Sequence, residues 1–157
     1  MRQLIRTCRR FYPSPPNPLL LYYLNRDAPA TRNDIPISLI GDCVDEGFLK
    51  IEVLIAAFGE DSRIRPEEMD GDFQCEGAGQ RLNINFYPSP QEPTYQEVEW
   101  GLLAIKEASL NRSLNFHEEA SIFARALQIL PPASFLSVSR MEMFLSDVQT
   151  ELLAVTK

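Results

Sequence analysis

The stretch Arg81–Leu110, RLNINFYPSPQEPTYQEVEWGLLAIKEASL, runs strand, proline-rich loop, helix. Leu82, Ile84 and Phe86 alternate with Arg81, Asn83, Asn85 and Tyr87, the period of a half-buried strand. Pro88, Pro90 and Pro93 end the ladder, because proline has no N–H to donate. Thr94 and Glu97 stand at capping-box spacing, where each side chain accepts a backbone N–H left over at the new helix start. Tyr95, Val98, Leu102, Ile105 and Ser109 then recur at helical spacing, and Asn111 is the stop.

Upstream, Phe73 and Cys75 alternate with Gln74 and Glu76 in a second strand, and Glu76–Gln80 (EGAGQ) is a hairpin turn joining the two. Before it, Ile37, Ile40, Val44, Phe48, Ile51, Ile55 and Phe58 lay one apolar stripe along a long helix. Pro36 belongs in its first turn, Asn33 or Asp34 caps it, and Gly59 is its C-terminal glycine. Gly41 and Gly47 each cost such a helix about 1 kcal/mol relative to alanine, so close packing or a kink is expected there. Leu19–Leu24, bounded by prolines and by Asn25-Arg26-Asp27, reads as a buried strand.

Downstream the pattern is double-valued. Over residues 113–130, Phe116, Ala120, Phe123, Leu127 and Leu130 make a helical stripe, while Leu114 and Phe116 alternate as in a strand; periodicity favours helix. Ser139 and Glu142 form a further capping box, and Met141, Phe144, Leu145, Val148, Leu152 and Val155 predict a C-terminal amphipathic helix over 139–156. The order predicts an α+β fold: a small antiparallel sheet, amphipathic helices on one face, a ferredoxin-like βαββαβ order and the C-terminal helix. Residues 1–18 are expected to be a basic proline-rich lead-in, and residues 19–157 one α+β domain.

Charge is divided unevenly. Residues 1–32 hold six arginines against Asp27, a net +5; residues 33–157 hold nine basic and 21 acidic groups, a net −12. The total of −7 argues against nucleic-acid binding, which needs clustered Lys and Arg. One consequence of the asymmetry is a lead-in that docks on the acidic face of its own body or of a neighbouring copy. Arg2, Arg6, Arg9 and Arg10 around Leu4, Ile5 and Cys8 also have the look of an organelle-targeting helix. No apolar run reaches the roughly 20 residues needed to span a bilayer. Cys8, Cys43 and Cys75 are far apart and odd in number, which points to a reduced, intracellular compartment and not to a disulfide scaffold.

Chemistry is sparse. His117 is the sole histidine, and HExxH would need a second one at position 121, which is Ser. No metal, cofactor or catalytic residue is expected. FYPSPxxP occurs twice, at Phe11–Pro18 and Phe86–Pro93. The first copy, with Arg10, Pro13 and Pro16, has the R-x-x-P-x-x-P form that presents a polyproline helix to an SH3-type groove. Arg10, Pro13 and Pro16, together with Phe144, Val148 and Leu152 on the terminal apolar stripe, are the partner-binding candidates.

LNINFYPSPQEP is similar to the RINYYPPCP-like segments of 2-oxoglutarate oxygenases, but their iron needs an HxD and a second His, and only His117 exists. The order of a strand, a helix opening IPISL, a hairpin ending LNINFYPSP and a helix TYQEVEWGLL resembles small fungal α+β proteins of uncharacterised role. That resemblance spans roughly residues 19–130, brings no functional residue with it, and favours strand over 113–130. The expectation is a non-catalytic interaction protein, with a protein partner or self-association. The alternative is a small hydrolase-like enzyme using a Cys/His or carboxylate pair in a cleft.

Overall fold

Leu82, Ile84 and Phe86 are buried on one side of the strand that carries them, and everything else is arranged over or beside that side. A computed structural model describes residues 9–25, 34–88, 91–111, 116, 119–126 and 137–147. In chain order these form β1 (Arg9–Phe11), β2 (Leu19–Asn25), α1 (Ile37–Phe58), a 3-10 turn (Pro66–Glu68), β3 (Asp72–Gly77), β4 (Gln80–Tyr87), α2 (Tyr95–Leu110), β5 (Glu119–Ala126) and β6 (Ser137–Asp147). The six strands make one sheet in the order β1-β2-β5-β6-β4-β3, and every pairing is antiparallel. The α+β class is as the sequence predicts.

β3 and β4 pair as a hairpin, with Phe73 opposite Ile84 and Cys75 opposite Leu82. The turn between them holds Ala78 at φ 53° and Gly79 at φ 77°, the left-handed pair that matches a hairpin's twist. On the far side of β4 lies β6, setting Leu145 against Leu82, Met143 against Ile84 and Met141 against Phe86. Met141 and Met143 are fully buried, so this row is the floor of the core.

Three sequence expectations change here. Residues 139–147 are strand, not the first half of a C-terminal helix; 148–156 lie outside the described residues. Met141, Met143 and Leu145 alternate with Arg140, Glu142, Phe144 and Ser146, so period 2 was present beside period 3.6. Pairing on both sides, with β4 and β5, selects the strand. Residues 119–126 are likewise strand, and the helical stripe over 113–130 does not form there. Strand, helix, strand, strand, helix, strand does occur in chain order, but the sheet is not ferredoxin-like. β6 inserts between β5 and β4, so β2 has β1 and β5 as neighbours and does not pair with β4.

The helices cover the apolar face. α1 buries Leu39, Ile40, Cys43, Val44, Gly47 and Ile51, while Ile37 and Phe58, the ends of its predicted stripe, are exposed. It begins with Pro36 at the N-cap and has no side-chain cap bond, so the cap expected from Asp34 is not made; Asn33 lies outside the described residues. Gly59, at φ 92°, ends it by returning its N–H to the Ile55 carbonyl. α2 has the full capping box: the Glu97 N–H donates to Thr94 Oγ1 at 3.1 Å and the Thr94 N–H to Glu97 Oε1 at 2.8 Å. All five positions of its predicted stripe are buried.

Two glycines set how closely the layers meet. A Cβ on Gly47 would sit 3.0 Å from the Phe73 ring and 3.1 Å from Leu102. One on Gly101 would sit 2.8 Å from the Phe86 ring and 3.3 Å from Met141 Sδ. Gly41 has nothing within 4 Å, and no packing reason for it is present. Gly41→Ala is therefore expected to raise stability by about 1 kcal/mol through helix propensity. Gly101→Ala should lower it by about 1–3 kcal/mol through overpacking. Urea unfolding of both variants checks the opposite signs.

Candidate functional site

The most buried charge among the described residues serves the fold. Asp70 is 2% exposed and follows Met69, whose φ of 58° turns the chain back after the 3-10 turn. Its carboxylate accepts from the Tyr95 hydroxyl at 2.5 Å, the Arg65 N–H at 2.9 Å and Arg65 Nε at 3.0 Å. Arg65 lies 4.4 Å over the Phe58 ring, and Phe58 stacks on Tyr95 at 6.2 Å. Burial pushes the Asp70 carboxyl up, but the bonds from Arg65 and Tyr95 outweigh it and hold the group below its ordinary value. Burial and the neighbouring Asp70 keep the Tyr95 hydroxyl protonated, as a donor must be. Lys50 closes the same turn, donating to the Met69 carbonyl at 2.6 Å and that of Asp72 at 3.2 Å, 5.0 Å over the Phe73 ring. The Arg65–Asp70 bonds close the 64–72 segment on itself, while Tyr95 joins it to α2 and Lys50 joins it to α1.

Cys43 on α1 and Cys75 on β3 are both buried free thiols. Cys75 donates to the Leu39 carbonyl at 3.6 Å, and the Cys43 thiol is its neighbour. Burial, the thiol–thiol bond and the nearby Glu46 push Cys43 far above the ordinary thiol range. Burial also raises Cys75, reinforced by Glu46 and Asp42 and opposed by the bond from Cys43. Nucleophilic chemistry needs the thiolate, and this environment suppresses it. A cavity of about 300 Å³ lies beside Cys43, lined also by Glu46, Lys50, Asp72 and Phe73. His117, the partner a Cys/His enzyme would require, lies outside the described residues. Among the described residues no group of three or more His, Cys, Asp or Glu is placed to hold a metal ion, and no helix is long and apolar enough to cross a membrane.

The third place is a groove of about 580 Å³ between the outer side of α2 and the loop joining β1 to β2. Its walls are Pro15 and Pro16 on one side and Trp100, Leu103 and Leu110 on the other. Leu103 is 41% and Leu110 61% exposed, a large apolar surface for one helix face. The loop is pinned by a turn in which the Asn17 N–H reaches the Ser14 carbonyl at 3.2 Å, with a cis Pro15–Pro16 peptide inside it. Ser14 donates its N–H to Glu107 at 2.9 and 3.1 Å and its hydroxyl to the same carboxylate at 2.5 Å. Asn17 Nδ2 donates to the Trp100 carbonyl at 2.9 Å. One proline wall is thus bolted to one helix, with the groove between them.

The partner-binding candidates scatter. Pro16 lines the groove, but Pro13 is buried and Arg10 sits within β1 opposite Tyr22. The strand and the turn replace the polyproline helix expected over Arg10–Pro16. Phe144 lies on β6 opposite Asn83, 37% exposed, away from the groove lining. Val148 and Leu152 lie outside the described residues. Trp100, Leu103, Glu107 and Leu110 went unread, although their spacing of 3, 4 and 3 is a second helical stripe beside the buried one. An apolar stripe on both sides of a helix was the available signal. Compared with protein-family models, curated proteins and solved structures, the chain matches none.

Because the native Asp70 carboxyl is held below its ordinary value, its contribution to stability is complete above about pH 4. It is lost as pH falls through the lowered native value. Urea unfolding followed from about pH 6 down to about pH 2 should show this acid limb, and Asp70→Asn should flatten it. Tyr95→Phe removes a bond to a charged acceptor and should cost about 1.5–3 kcal/mol. Iodoacetamide at mildly alkaline pH should label Cys43 and Cys75 at least about tenfold faster in denaturant than in the native protein, read by peptide mass.

Proposed function

We propose that this chain is a non-catalytic interaction protein and that the groove between α2 and the Ser14–Asn17 loop receives a segment of a protein partner. The carrying observation is an apolar cleft built on rigid parts. Its floor is a capped helix held by the sheet, its wall is a proline pair fixed by Ser14 and Asn17, and Leu103 and Leu110 stand exposed inside it. Binding to such a site orders little on the protein side, which favours affinity. Concave apolar clefts with a few placed polar groups are where ligands and peptide anchors bind. The buried groups that an enzyme could employ support the same reading, since Asp70 is consumed by Arg65 and Tyr95 and the two thiols are held protonated.

The test substitutes exposed residues, so folding is spared. Leu103→Asp with Leu110→Asp should keep the far-UV spectrum and unfolding midpoint of the parent. Affinity capture from cell extract should then retain a protein on the parent that the double variant loses. If parent and variant retain the same set, and native mass spectrometry finds the parent neither complexed nor self-associated, the reading is wrong.

A further inference from the structure

Resting on that reading, we infer the chemistry of the partner: a segment with an apolar anchor flanked by arginine or lysine, the anchor seated between Pro15–Pro16 and Leu103 and the cation against Glu99 and Trp100. Three charged side chains line the groove, Glu99, Lys106 and Glu107. Lys106 is neutralised by Asp45, its Nζ 2.8 Å from Oδ1. Among the described residues the two glutamates receive only neutral donors. Gln96 Nε2 donates to Glu99 at 3.0 Å, and Ser14 donates to Glu107. No cation among the described residues offsets them, and each carboxylate has lone pairs to spare.

The chain as a whole carries a net −7, so its mean field has the same sign as the two glutamates. A cationic segment is steered toward such a surface and an acidic one is repelled. Trp100 forms part of the wall, and indole is the best aromatic face for a guanidinium. The apolar walls supply burial, while the glutamates and the indole select the charge. An acidic segment fails the charge requirement, and a segment without apolar anchors forgoes the burial.

Trp100 is the chain's one tryptophan and lines this groove, so all tryptophan emission comes from an indole at the site. The probes are three synthetic peptides of about 12 residues, a length that spans a helix-sized groove. One places leucines at helical spacing with arginines between them. Its acidic twin carries glutamate for each arginine, and its polar twin carries serine for each leucine. The basic peptide should shift the Trp100 emission saturably, and both twins should bind at least about tenfold more weakly. Leu103→Asp and Glu99→Arg should each weaken the basic peptide by about tenfold, and added salt should weaken it further.

An acidic twin that binds as tightly overturns the inferred chemistry and leaves the groove standing as a binding site. A polar twin that binds as tightly, or a basic peptide indifferent to Leu103→Asp, shows charge attraction without anchoring and also overturns it. A Trp100 emission unmoved by any of the three removes the inference as well. Whether the groove reading falls with it is decided separately by the capture experiment on the double variant.

Discussion

The contact on which the arrangement turns is that of Gly101 with the Phe86 ring. α2 can lie this close to the sheet only because position 101 carries no side chain, and Phe86 and Met141 fill the space a Cβ would take. That contact fixes the rotation of α2 about its axis. Val98, Leu102, Ile105 and Ala108 are then forced inward. With 3.6 residues per turn, the stripe of Trp100, Leu103, Glu107 and Leu110 is forced outward. The groove is thus a consequence of core packing on the opposite side of the same helix.

Polar groups divide by the same logic. Asp70, Tyr95 and Arg65 are buried or half-buried and pay for their desolvation with bonds to each other, which ties the 64–72 segment to the start of α2. An unpaired charge in that position would be strongly destabilising. Glu99 and Glu107 lie near the surface, where neutral donors suffice and the negative charge persists. The interior charge stabilises, and the rim charge is the one on which the proposed binding would draw. Cys43 and Cys75 belong to the first group: two neighbouring buried thiols, with Cys75 donating to the Leu39 carbonyl, behave as core residues.

Much of the fold was legible along the chain where one periodicity acted alone. α1, α2 and the β3–β4 hairpin each answer to a single period, and the Thr94–Glu97 box and Gly59 mark ends by chemistry confined to a few residues. The candidate site was not legible as a site. Pro16 was singled out for a polyproline helix, yet it works as a wall, because Pro13 is buried and the chain turns at Pro15–Pro16. Ser14 and Glu107 meet across 93 positions, a separation over which no local pattern carries information.

What the amino-acid order determined unaided was therefore local: helix where apolar residues recur every third or fourth position, strand where they alternate, and stops where proline or glycine intervenes. What only the tertiary structure decided was β6, the strand order and the groove. Met141, Phe144, Leu145 and Val148 fit a helix, while Met141, Met143 and Leu145 fit a strand. The choice between them is made by Phe86, Ile84 and Leu82 lying opposite in β4. A residue's own neighbours set its backbone preference, but the partner across the sheet is supplied by another part of the chain, and the energy of that pairing enters only once both are in place.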